Sequence, residues 1–255
     1  MRLVYLICFF IVGTIFGSFY NVLGLRIVKH ESIIKPRSHC DKCGHVLSWS
    51  EMIPILSFIF LKGKCRNCKT PLSFLYIFSE FFCGVLFAIS FYSFGFSYNL
   101  LISLIISSLL IIVTVSDITY MIIPDRFIVI SSILVIIIKL IFCPLNTFLY
   151  SLLSGALSFL VMLLIMKFGN YMFKKETLGG ADVKLMLFVG LCVEPFLALL
   201  VIIVASVIAL PVSLILLVKE KEHAIPFGPF IIIGLMIIFL MKLNTMQVIN
   251  FLLGK

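Results

Sequence analysis

Charge is what this sequence has least of. Asp, Glu, Lys and Arg make up 12% of its 255 residues, where a water-soluble domain needs roughly a quarter. A soluble globular fold is excluded, because so few charges cannot wet the surface of a 28.8 kDa particle. Acids are scarcer than bases, 11 against 20, and tryptophan occurs once. What abounds is apolar: 62% of residues and a mean hydropathy of +1.26, which also excludes disordered, collagen-like and coiled-coil chains. Eight cysteines are too few for a disulfide scaffold of this length. The net charge of +9 would suggest nucleic acid in a soluble protein. Here the basic residues sit between apolar runs, so the charge reads as membrane orientation and lipid headgroup contact, and no nucleic-acid partner is expected.

Residues 3–25 form the first apolar run. About 20 helical residues cross the hydrocarbon core, and no small-residue cleavage site follows, so this run reads as a retained helix. Further runs lie at 74–94, 99–116, 127–142 and 147–167. The run 185–218 is too long for one span and divides at Glu194 and Pro195. The last run, 229–241, is expected to extend toward Val248 past Lys242. The pattern predicts an all-α polytopic membrane protein of about eight transmembrane helices, the sixth short and tucked among its neighbours. A small zinc-ribbon-like loop domain completes it. The expected domains are a first transmembrane helix at 1–25, a tetracysteine domain at 26–73 and a transmembrane domain of about seven helices at 74–255.

Orientation follows from Lys and Arg. Nine fall in 26–74, one at Arg126, four in 167–184 and two in 219–222, all facing one side. Arg2, Lys242 and Lys255 face the other, and Lys139 is expected to snorkel toward it. By the positive-inside rule both termini lie outside and the polar loop is cytoplasmic.

That loop holds Cys40-Asp41-Lys42-Cys43 and Cys65-Arg66-Asn67-Cys68. Thiols stay reduced in the cytoplasm, and two CxxC pairs at this spacing suit a tetrahedral structural zinc with Cys40, Cys43, Cys65 and Cys68 as ligands. A loop of under fifty residues has little core of its own, and metal binding supplies its folding energy. His39 and His45 flank the first pair and read as surface residues. Cys8, Cys83, Cys143 and Cys192 lie in spans and read as packing residues.

Acids are costly in hydrocarbon. Asp117 closes the third expected span and Asp182 opens the sixth from the same side, which predicts a common depth for the two. Two such carboxylates fit two chemistries. They can share a proton and activate a water for peptide hydrolysis, as in aspartic proteases, or form an ion or proton pathway in a transporter with a zinc-stabilised loop. Gly179 and Gly180 would let a substrate backbone approach. Asp125, after Pro124, is expected to cap a helix. Glu80, about two turns into its span, is expected to bond a neighbouring helix or line the site.

Ordered motifs run along nearly the whole chain: Gly17-Ser18-Phe19-Tyr20-Asn21-Val22 with Arg26, Pro36-Arg37-Ser38-His39-Cys40, both CxxC pairs and Ile53-Pro54-Ile55-Leu56-Ser57. Asp117 to Pro124-Asp125, Gly179-Gly180-Ala181-Asp182-Val183-Lys184 and Pro226-Phe227-Gly228-Pro229-Phe230 follow. In these the chain resembles the bacterial type IV prepilin peptidases, the leader peptidase/N-methyltransferases of the GxGD membrane aspartic protease family. The resemblance implies catalytic acids at Asp117 and Asp182, with Asp125 in the motif but outside the pair. It implies a multi-pass protein of the bacterial cytoplasmic membrane that cuts basic leaders from type IV prepilin or pseudopilin precursors at the cytoplasmic face. It further implies methylation of the new N-terminus with S-adenosylmethionine. No glycine-rich nucleotide loop places the methyl donor, and Arg37, Glu51 and the loop backbone are the candidates. Ala181 stands where the family pattern has a second glycine. Other diaspartyl proteases fit less well: the presenilin-like class has Tyr where Ser116 stands, and preflagellin enzymes lack the tetracysteine loop. A basic leader meets a basic surface here, and Asp125, Glu176, Glu220, Glu222 or lipid headgroups are expected to offset it.

Overall fold

A computed structural model of the chain describes residues 1–40, 42–174, 178–219 and 226–253, with the side chains of 216–219 and 251–252 set aside. Glu176, Glu220 and Glu222 lie outside the described residues. Every expected apolar run becomes a helix: α1 (Arg2–Arg26), α3 (Phe74–Phe94), α4 (Tyr98–Tyr120), α5 (Asp125–Phe142), α6 (Leu145–Phe173), α7 (Gly180–Cys192), α8 (Pro195–Lys219) and α9 (Gly228–Leu240). Short α2 (Leu56–Phe60) lies in the polar loop and α10 (Thr245–Leu252) near the C-terminus. Among the described residues there are no strands, only isolated antiparallel bridges at His39 with Val46 and Lys64 with Pro71.

Among the described residues five helices, α1, α3, α4, α6 and α8, are long and apolar enough to cross a membrane. α5 carries Asp125, Arg126 and Lys139 within its 18 residues. At 13 residues, α7 and α9 each reach about 20 Å. The chain divides into two compact units, one of 1–96 with 111–122 and the other of 97–110 with 123–255.

In the first unit α1 packs along α3 through small residues. A methyl group on Gly13 would meet the Cys83 carbonyl at 2.8 Å, and one on Gly17 the Glu80 Cα at 2.9 Å. Gly13 and Gly17 stand one turn apart, the spacing that lets helix backbones approach in lipid. Ser79 donates to Asn21 Oδ1 at 2.7 Å across the same seam. The second unit is built around α7, nine of whose residues are buried. It packs against α5, α6, α8 and α9, so the short sixth run is tucked among its neighbours as expected.

Two expectations fail here. The last run does not continue past Lys242. α9 ends at Leu240, Lys242 takes a positive φ of 54°, and a separate α10 begins at Thr245. Glu194, from the α7–α8 junction, accepts from the Thr245 backbone N–H and hydroxyl, fixing the new helix start. Lys139 does not snorkel outward. It is buried, and its Nζ donates to the Cys192 carbonyl at 3.5 Å, at the α7 C-terminus where the helix dipole is negative.

Candidate functional site

The two cysteine pairs sit on matching turns. Gly44 N–H donates to the Cys40 carbonyl at 2.8 Å and Cys40 N–H to the His45 carbonyl at 2.9 Å. Lys69 to Cys65 and Cys65 to Thr70 repeat the pattern at 3.0 and 2.9 Å. Gly44 and Lys69, each just after a second cysteine, both take positive φ, 68° and 59°. The four Sγ atoms lie within 4.8 Å of one another. Cys40 and Cys68 are 3.8 Å apart and Cys43 and Cys65 3.9 Å. Zinc–sulfur bonds of about 2.3 Å set tetrahedral sulfurs about 3.8 Å apart, and a disulfide needs about 2.05 Å. The cluster therefore has metal-site dimensions. Hydrogen bonds of the Thr70 hydroxyl and backbone hold the Cys68 thiol down to about 6, while Cys43 is pushed up to about 11, the His45 backbone bond being outweighed by desolvation and the three neighbouring thiols.

Neither flanking histidine is needed as a ligand. The His39 ring is bonded to the Arg37 carbonyl at 2.9 Å. His45 lies 3.2 Å from Glu51, which also accepts from the Ser48 N–H at 2.8 Å and the Ser48 hydroxyl at 2.6 Å. Ser48 and Glu51 stand as the capping pair of a 3-10 turn, Trp49–Met52, a role the Ser-x-x-Glu spacing announces. This places Glu51, a sequence candidate for the methyl-donor site, in the loop's scaffold. The Ser48 bonds, with His45 beside them, hold its carboxyl at about 2. A depressed carboxylate stabilises the loop fully above its ordinary 4.5 and loses that contribution as pH falls toward 2. Arg37 is exposed. Arg26 closes the preceding turn by donating to the Pro36 carbonyl at 2.7 Å.

Glu80 is buried in α3 and accepts the Ile55 N–H at 2.8 Å, with Ser18 of α1 as a second partner. Ile55 has φ 62° and ψ −53°, and Leu56 N–H reaches back to the Pro54 carbonyl at 2.6 Å. This is a γ-turn of the rare positive-φ kind, strained for a β-branched residue. Glu80 thus bonds a neighbouring helix, as expected, and also anchors the strained loop backbone. Replacing it with Ala leaves the Ile55 N–H without its acceptor, at a cost of about 1–3 kcal/mol. Limited proteolysis in membranes is expected to show faster cutting within 53–60 in Glu80→Ala, with Glu80→Gln much closer to wild type.

Asp117 lies in the last turn of α4 in the first unit and is 5% exposed. Asp182, 7% exposed, is the third residue of α7 in the second unit. Its carboxylate folds toward the helix start: a methyl on Gly179 would stand 3.3 Å from Asp182 Oδ2. An acid in a first turn is stabilised by the unpaired N–H groups there. Gly179 has an ordinary φ of −68° and Ala181 is helical, so no glycine-only conformation is required at position 181 and alanine is accommodated. Among the described residues a methyl group on Gly180 would meet nothing within 4 Å, and both glycines are exposed. Open space therefore borders the start of the helix that carries Asp182.

Asp125 is corrected from cap to first helical residue. Pro124 holds the cap position of α5, no side-chain cap bond forms, and the Asp125 carboxylate pairs with Lys184, two residues beyond Asp182. Pro124 already has the extended backbone of a cap residue, φ −70° and ψ 114°, so the helix starts one residue earlier than a cap at 125 would require and the Asp125 carboxylate, set on the first turn, meets Lys184.

Comparison with known proteins places these features in a family. The sequence matches the family model described as Bacterial Peptidase A24 N-terminal domain over residues 11–94 and the one described as Type IV leader peptidase family over residues 104–214. The first span contains the four cysteines, Glu51 and Glu80, the second Asp117, Asp125 and Asp182. The chain is 41% identical over 181 residues to the prepilin leader peptidase/N-methyltransferase of Bacillus subtilis (strain 168), with 71% of each chain covered. It is 35% identical over 183 residues to the protein of that name from Myxococcus xanthus (strain DK1622), covering 71% of this chain and 54% of the other. With the Vibrio cholerae protein of that name it shares 30% over 255 residues, covering 94% and 98%. No solved structure matches.

Proposed function

The chain belongs to the type IV leader peptidase family, and from that premise we propose that it cleaves the short basic leader from type IV prepilin-like precursors and methylates the exposed amine. It is a multi-pass membrane protein. The catalytic pair of this reading is Asp117 and Asp182. One acid holds a proton and polarises the scissile carbonyl, the other draws a proton from water as it attacks, and the intermediate collapses with proton return to the leaving amine. The observation that carries the assignment is that Asp117 and Asp182 are both nearly buried within the segment shared with the peptidase family.

The loop 26–73 is assigned as a small cytoplasmic domain, 74–255 as the peptidase domain, and both termini as outside, since 16 of the 20 Lys and Arg then face the cytoplasm. This orientation sets the reaction in the cytoplasmic membrane at its inner face, where a precursor's apolar helix would present its leader. The transporter reading draws no support from the relatives.

Structural zinc in the Cys40, Cys43, Cys65 and Cys68 cluster would supply folding energy to this domain and take no part in the chemistry. S-adenosylmethionine, implied by the relatives' name, would supply the methyl group. Purified protein is expected to hold about one zinc per chain, checked by elemental analysis under reducing conditions. Removing it with a chelator is expected to shift the emission of Trp49, the one tryptophan, which lies between the pairs. The activity itself is tested by mass spectrometry of a pilin precursor incubated with the protein and S-adenosylmethionine in membranes. Loss of the leader and gain of one methyl group are expected, and an intact precursor would overturn the reading.

A further inference from the structure

The stretch between the cysteine pairs presents a face that the loop's own packing leaves open. Within α2, Phe58 turns inward, its ring beside Gly63 and 6.5 Å from the ring of Phe74. Leu56, Ile59 and Phe60, spaced to share the other side of the helix, are exposed, Phe60 at 80%. The 3-10 turn packs against α2 and brings Trp49, 83% exposed, and Ile53 to this apolar group. Cations follow directly: Lys62, Lys64, Arg66 and Lys69 are all exposed. The one acid between 49 and 73 is Glu51, which is buried and bonded to Ser48 and His45.

We infer that this face is a lipid-docking surface, in which Trp49, Ile53, Leu56, Ile59 and Phe60 enter the headgroup region of an anionic leaflet while the four cations meet lipid phosphates. Three features select lipid over a protein partner. The loop is tethered at both ends by α1 and α3, each long and apolar enough to cross a membrane, so the face cannot travel far from a bilayer. Its exposed charge is of one sign, which complements an anionic leaflet. Three of its four cations are lysine, a residue depleted in protein interfaces. Docked in this way, the tetracysteine loop would be held down on the leaflet from which it emerges.

Trp49 is the only tryptophan, so its emission reads this face alone. The test uses the full chain reconstituted into vesicles of phosphatidylcholine with or without phosphatidylglycerol, acyl chains brominated near the headgroup. With phosphatidylglycerol present, brominated lipid is expected to quench Trp49 by about twofold or more while acrylamide quenches it weakly. Omitting phosphatidylglycerol or raising salt should reverse both effects. Phe60→Ser with Ile59→Ser should expose Trp49 to acrylamide with bound metal unchanged. The inference fails if acrylamide quenches Trp49 freely in every vesicle, or if brominated lipid never quenches it. Protection from acrylamide without brominated-lipid quenching would assign the face to protein, a second copy or the rest of the chain, and would also overturn it. None of these readouts depends on peptidase activity.

Discussion

Asp117→Asn and Asp182→Asn should each reduce cleavage of a pilin precursor in membranes by about 10³-fold or more, which is about 4 kcal/mol of transition-state stabilisation. An amide keeps the shape of the carboxyl group but can neither draw a proton from water nor deliver one. The fold should survive, because both acids are nearly buried and a neutral amide is cheaper to bury than a charge. Both variants should accumulate like wild type and keep the same metal content. Asp125→Asn is the internal control. Its half-exposed pairing with Lys184 is worth about 0–1 kcal/mol, and cleavage should stay within a few-fold of wild type. Full activity in either of the first two variants would refute the catalytic assignment.

What the sequence disclosed and what it hid divide along a physical line. Apolar runs were legible because length in hydrocarbon is one-dimensional, and each expected run became a helix. The cysteine cluster was legible because ligand spacing within a turn is local, and its sulfurs lie at tetrahedral separations. Partnerships between distant residues were not. Nothing in the surroundings of Glu80 announces that it holds the Ile55 N–H across 25 positions. Lys139 read as an outward-reaching cation because only the fold brings the Cys192 carbonyl to it. The scaffold role of Glu51 was legible too, since Ser48 three positions before it is a capping signal. The break at Lys242 was partly legible in Asn244, a cap-type residue whose side chain accepts the Met246 N–H at 3.0 Å, whereas Glu194, which holds Thr245, lies 51 positions before that residue.

The same substitution at two glycines of α7 should have opposite consequences. At Gly190 an added methyl would stand 2.4 Å from the Ser154 carbonyl, 2.5 Å from Ser158 Oγ and 2.8 Å from the Gly155 Cα. Two of these are backbone atoms of α6, which no side-chain rotation can move, so the helices must separate. Separation also pulls on the bond from Ser154 to the Val193 carbonyl, 2.8 Å at the α7 C-terminus. Gly190→Ala is therefore expected to cost about 3 kcal/mol or more, at the upper end for overpacking. A sharply lower midpoint in detergent thermal unfolding would register it. At Gly180, in a helical first turn, a methyl meets nothing within 4 Å among the described residues. Gly180→Ala should leave the fold unchanged or stabilise it by about 0.4–1 kcal/mol. If a precursor backbone approaches over that open space, the variant folds normally yet cleaves more slowly through a raised KM. An unchanged KM with normal folding would show that the precursor approaches Asp182 by another route.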